Sequence, residues 1–140
     1  AYTAAHSTAS KAFTTNLRAV GGRSSEAVFR WNKDFGHKLV EENCLDVLVI
    51  DEAHRVRKSS NTQYTPKQVR SEIPQADELI RAARVSVFLL DERQNVRPDE
   101  IGNVTAIEAA AARQGVPLRR VALDAQFRCN GSSAYIEWVN

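Results

Sequence analysis

Four consecutive residues, Asp51-Glu52-Ala53-His54, stand directly after the apolar run Leu-Asp-Val-Leu-Val-Ile at positions 45–50. An ionised group taken out of water without a partner costs on the order of several kcal/mol, so two adjacent carboxylates at the tip of a buried segment ask for a cation or a ligand. Successive residues leaving a strand point to opposite sides. One carboxylate can then face a metal ion while its neighbour faces a reacting water. The plainer reading is a strand end solvated by two acids. A second apolar run, Val-Ser-Val-Phe-Leu-Leu at 85–90, also ends in charge, at Asp91-Glu92-Arg93-Gln94. Further on, Gln126-Phe127-Arg128 supplies a guanidinium. Carboxylates for Mg2+, an amide able to sense a terminal phosphate and an arginine able to neutralise it are the parts that phosphoryl transfer requires.

These residues meet only if the chain folds to bring them together. The runs at 45–50 and 85–90 are short, rich in β-branched residues and nearly continuous in apolarity, which suits strands buried on both faces of a parallel sheet. Residues 74–84 between them read as a helix, with Pro74 near its start and Ala76, Leu79, Ile80 and Ala83 as an apolar stripe. Together they make one βαβ unit with the usual right-handed crossover. Residues 7–20 also read as a helix, with Phe13, Leu17 and Val20 on one face and Gly21-Gly22 as its stop. Thr105-Ala106-Ile107-Glu108 has the spacing of a capping box and opens an alanine-rich helix ending at Gln114-Gly115. Residues 118–124 read as a third strand and 132–139 as a closing helix with Tyr135, Ile136 and Val139 on its apolar face. The alternation predicts an α/β fold with a mainly parallel sheet. In such a sheet the ligand crevice lies outside the carboxyl ends of the strands, which would gather Asp51, Glu52, Asp91 and Gln94, with Arg128 near the same edge.

Composition narrows the alternatives. At 140 residues, 43% hydrophobic and 26% charged, the chain is long enough for one domain with a core. No run of about 18 apolar residues crosses a membrane and no signal-peptide pattern opens the chain, so a cytoplasmic protein is expected. Cys44 and Cys129 lie in unrelated contexts, which excludes a paired-cysteine metal knuckle. A net charge of +2 does not by itself announce nucleic acid. Between positions 53 and 71, however, Arg55, Arg57, Lys58, Lys67 and Arg70 occur with no acid among them. The chain holds no Met and begins Ala1-Tyr2-Thr3, which points to an excised segment.

Asp51-Glu52 has the Walker B arrangement, and the surrounding residues carry a wider likeness. Val49 to Arg55, Phe88 to Glu100 and Gln126 to Trp138 resemble, in order, three motifs of a superfamily-one helicase core. More narrowly, they resemble the Schlafen group-3-type DNA/RNA helicase domain. Asp-Glu-Ala-His alone would fit superfamily two, but the Ser-Ala-Thr motif of that group is missing. The resemblance implies a partial RecA-like P-loop NTPase fold over 1–140, Mg2+ and ATP as cofactors, nucleic acid as partner, and further helicase lobes in the same parent chain. It implies that Asp51 holds Mg2+ through its water shell, Glu52 orients the attacking water, Gln94 contacts the γ-phosphate, Arg128 acts as the motif IV arginine and Asp91 links hydrolysis to movement. The chain departs from the pattern in one respect. It has no GxxxxGK[ST] loop, the element that cradles phosphates with backbone amides. The family pattern places that loop before Ala1, so these 140 residues by themselves are expected to show no steady-state ATPase. The alternative to a hydrolase is a nucleotide switch without turnover, or a scaffold for nucleic acid or protein.

Three further features have two readings each. His54 and Arg55 would couple nucleotide to nucleic acid, or simply hold their loop. The basic stretch 55–70 would contact phosphates, or be a solvated loop with residues 59–66 mobile. Trp31 and Phe35 would stack on bases, or fill the core as aromatics usually do.

Overall fold

The computed structural model describes residues 2–91, 94 and 98–123. Strand β1 (Ala4–Thr8) leads into helix α1 (Lys11–Gly21), and a 3-10 turn precedes β2 (Phe29–Trp31). Strand β3 (Leu45–Asp51) runs into a 3-10 turn at Ala53–Arg55. A long connection then reaches helix α2 (Gln75–Arg81), strand β4 (Ala83–Phe88) and helix α3 (Val104–Gln114). The four strands form one sheet in the order β2-β1-β3-β4, every pair parallel.

The topology follows from elementary rules. β1 crosses over to β2 in one direction along the sheet and β3 to β4 in the other. Right-handed crossovers in opposite directions put α1 and α2 on opposite faces. On the α2 side, Ala5, Leu48 and Ile50 pack with Ala76, Leu79 and Ile80 of α2 and with Ala110 and Ala111 of α3. Register sets that alternation, because Ala5 lies opposite Leu48 and Ser7 opposite Ile50. Arg113 of α3 donates to both carboxylate oxygens of Asp77 on α2 at 2.9 and 2.6 Å, and that pairing raises the guanidinium's proton affinity further. At the start of the sheet, Asp46 accepts from the backbone and the hydroxyl of Thr3, which holds its carboxyl below the ordinary range.

The βαβ unit is as expected, with β4 beginning two residues earlier than the apolar run and α2 spanning only Gln75–Arg81. Four local expectations are corrected. Residues 4–8 form a strand and the helix starts only at Lys11, because Ser10 caps it by accepting from Phe13 N at 3.2 Å. Ala-Ala-His-Ser-Thr has little strand propensity of its own, but pairing on both sides overrides it. Thr14 is the buried residue of α1, whereas Phe13 and Val20 are exposed. Asn103, and not Thr105, caps α3, its Oδ1 accepting from Ala106 N at 2.8 Å. Residues 118–123 pair with no strand among the described residues, and Leu118, Val121 and Leu123 are exposed. The expected closing helix at 132–139 lies outside the described residues.

Candidate functional site

Three strands end level with one another. Trp31 of β2 lies opposite Thr8 of β1, and Thr8 lies opposite Asp51 of β3. β4 continues the row, since Leu89 N donates to Ile50 O and Ala53 N donates to Leu89 O, both at 2.9 Å. The carboxyl edge of the sheet is therefore a continuous shelf on which the candidate residues sit.

Glu52 leaves β3 in the left-handed region, at φ 51° and ψ 45°. An L-residue there is strained by roughly 1–2 kcal/mol, and such strain clusters at functional positions. The turn cancels the alternation expected of a strand end. Both carboxylates consequently line one cleft of about 260 Å³, together with Thr8, Ser10, Phe13 and Arg55. Asp51 accepts from Glu52 N at 2.9 Å, and its other oxygen lies 3.5 Å from His6 Nε2. Glu52 remains open to the cleft with its carboxylate 3.1 Å from His54 Nε2. His54 is buried and its Nδ1 has no partner among the described residues.

A second segment clamps this turn from behind. Ile101 N donates to Val56 O at 2.8 Å, and Arg57 bridges Glu100 in antiparallel fashion. Arg55 Nε lies 3.3 Å from Oε1 of Glu100, whose side chain is almost wholly buried. Gly102 presses so closely on the turn that a Cβ would stand 1.8 Å from Ala53 O. Only glycine fits that contact.

Of the other expected site residues, Asp91 and Gln94 are hydrogen-bonded to each other. Gln94 N donates to Asp91 O at 3.2 Å and Gln94 Nε2 to Asp91 Oδ2 at 2.9 Å. They lie just past the end of β4 but are not among the residues lining the cleft. Arg128 lies outside the described residues. Sequence reasoning missed His6, Thr8 and Ser10, because their approach to Asp51 depends on β1 being a strand. It left Phe35 and Trp31 open between core and ligand; Phe35 is core, and Trp31 is half-buried with Nε1 donating to Ala9 O at 3.0 Å. The basic stretch is largely tied down: Asn61 exchanges hydrogen bonds with Ser71, Arg70 donates to Thr65 O, and Arg55 and Arg57 meet Glu100 and Asp99.

The cleft's donors are hard oxygens, two carboxylates and two hydroxyls. Among the described residues no group of three or more His, Cys, Asp or Glu is placed to hold a metal. The set fits Mg2+ in its usual manner, bound through one or two carboxylates while keeping waters and phosphate oxygens as its other ligands. No described helix is long and apolar enough to cross a membrane.

No curated protein and no solved structure matches the chain. A family model does, over residues 2–140, and its description is "Schlafen group 3, DNA/RNA helicase domain". A parallel α/β sheet with acidic residues at its carboxyl edge and a family match across almost every residue lead to one conclusion: the chain belongs to the Schlafen group 3 DNA/RNA helicase domain family.

Proposed function

We propose that this chain supplies the Walker B part of an ATP-dependent DNA/RNA helicase-like NTPase, within a partial RecA-like domain. The observation that carries the reading is the pairing of Asp51 and Glu52 in one cleft at the end of an interior parallel strand. Asp51, half-buried and held by Glu52 N, is the residue that would hold Mg2+ through its water shell. Such an ion, when bound, neutralises phosphate charge. Glu52 is the more exposed carboxylate and would take the proton of the attacking water. His54 fixes its direction from the buried side. Asp91 and Gln94, beside this shelf, would sense the terminal phosphate and pass its loss to the rest of the molecule. Arg128 would neutralise charge on the transferred group. The phosphate cradle itself has to come from residues other than these 140.

The test is Glu52→Gln in the full-length protein with Mg-ATP. Turnover should fall by about 10²–10⁴-fold, the range for loss of a general base, while nucleotide binding persists. Unchanged turnover overturns the role of Glu52. The alternative reading is a switch or scaffold without hydrolysis. Under it the full-length wild type binds nucleic acid or nucleotide yet shows no turnover for Glu52→Gln to abolish.

A further inference from the structure

A small recess that shares no lining residue with the acidic cleft is lined by Ala9, Trp31, Asn32, Lys33, Arg57 and Gln75. Its polar atoms are not equally free. Ala9 O accepts from Trp31 Nε1. Gln75 accepts from Arg57 N and donates to Ser60 Oγ. Asn32, 1% exposed, uses Oδ1 to accept from Ser7 Oγ, and its Nδ2 is buried with no partner among the described residues. The donors left are the Asn32 amide, the Lys33 ammonium and, beside its 3.6 Å pairing with the exposed Asp99, the Arg57 guanidinium; among the described residues no carboxylate lines the recess.

The recess has about 10 Å³ of free space, roughly the room of a single water-sized atom group. That admits one oxygen of an oxyanion whose remainder stays outside. Lys33 Nζ and Lys11 Nζ lie 5.1 and 5.6 Å from the Trp31 ring centroid, cation–π distances that hold both ammonium groups against the indole of a lining residue. Partial burial, and then the nearby charge of Arg57, hold the Lys33 ammonium below its usual proton affinity. An anion would relieve both effects.

We infer that Asn32, Lys33 and Arg57 seat one phosphate oxygen of a nucleic-acid backbone, with Lys11 held against Trp31. This rests on the nucleic-acid part of the proposed function. The chemistry recognised is a phosphate oxyanion. Its source is the phosphodiester chain, because the recess shares no lining residue with the cleft whose carboxylates would hold Mg-ATP and admits one oxygen, not a triphosphate.

The experiment measures binding of a single-stranded oligonucleotide to the full-length protein over a salt series. Lys33→Gln/Arg57→Gln should weaken binding by about tenfold or more, as loss of charge-assisted hydrogen bonds does. It should also make the log–log salt slope shallower by about 0.7, the contribution of one phosphate contact on a single strand. The charge-matched control Lys38→Gln/Lys67→Gln, at exposed positions, should stay within about twofold of wild type. Lys33→Arg/Arg57→Lys keeps both charges and should retain binding. Equal affinity in the first variant, or an equal loss in the control, overturns the seat and leaves the nucleic-acid reading standing. No oligonucleotide binding by the wild type overturns both. If Mg-ATP displaces the strand and the first variant loses ATP affinity as well, the recess serves nucleotide and the inference fails.

Discussion

The acidic cleft and the donor-lined recess draw on two shared stretches of chain, 8–10 and 51–57, and have opposite character. Thr8 and Ser10 face the cleft while Ala9 between them faces the recess; Asp51, Glu52 and Arg55 face the cleft while Arg57 faces the recess. One side can gather a cation and a water, the other an anionic oxygen. The difference arises because short turns at strand ends send neighbouring residues in opposite directions. Residues 53–57 contribute to both sites, so a displacement of this turn would move them together and couple the proposed nucleotide and strand sites.

The most severe way to break this pairing is Gly102→Ala. The new methyl group would meet backbone at Ala53 and His54, which cannot rotate aside, so a loss of about 3 kcal/mol is expected, the upper part of the range for overpacking. Thermal unfolding of the variant checks the magnitude. Binding of Mg-ATP and of an oligonucleotide, measured where the variant is still folded, checks the coupling. Loss of one activity with full retention of the other would show that the two sites do not share a support.

A gentler substitution separates the sites instead. Glu52→Gly releases a left-handed strain of roughly 1–2 kcal/mol against an added unfolded-state entropy of roughly 0.5–1 kcal/mol. The expected outcome is a small gain of about 0.5–1 kcal/mol, with oligonucleotide affinity unchanged and ATP turnover abolished. A clear fall in the melting temperature would mean that the Glu52–His54 contact holds the turn, and not merely the carboxylate.

How far the sequence revealed this arrangement depends on the kind of signal. The runs at 45–50 and 85–90 were legible because a buried parallel strand needs an uninterrupted apolar string, and their parallel pairing followed from the helix between them. Asp51 and Glu52 were legible because acids are out of place there. β1 was not, since Ala4, Ala5, Ser7 and Thr8 owe their strand to neighbours on both sides and show no pattern of their own; with β1 went His6, Thr8 and Ser10. The left-handed turn that brings both carboxylates into one cleft was hidden too, because glutamate gives no hint of positive φ. The recess joins positions 9, 31–33, 57 and 75, and only tertiary packing brings those together. Residues 55–57 read as an unneutralised basic run, yet Asp99 and Glu100 meet them from more than forty positions away.

Trp31 adds a practical consequence. Its indole is fixed at Nε1 by the Ala9 carbonyl and carries two ammonium groups against its ring. Any ligand that draws those lysines outward changes the electrostatic surroundings of the chromophore without touching it. The protein thus has an optical gauge built into its own sequence: tryptophan emission should shift as a nucleic-acid strand is titrated in, and the shift should vanish in Trp31→Phe, giving an unlabelled, real-time record of strand loading and release during nucleotide turnover.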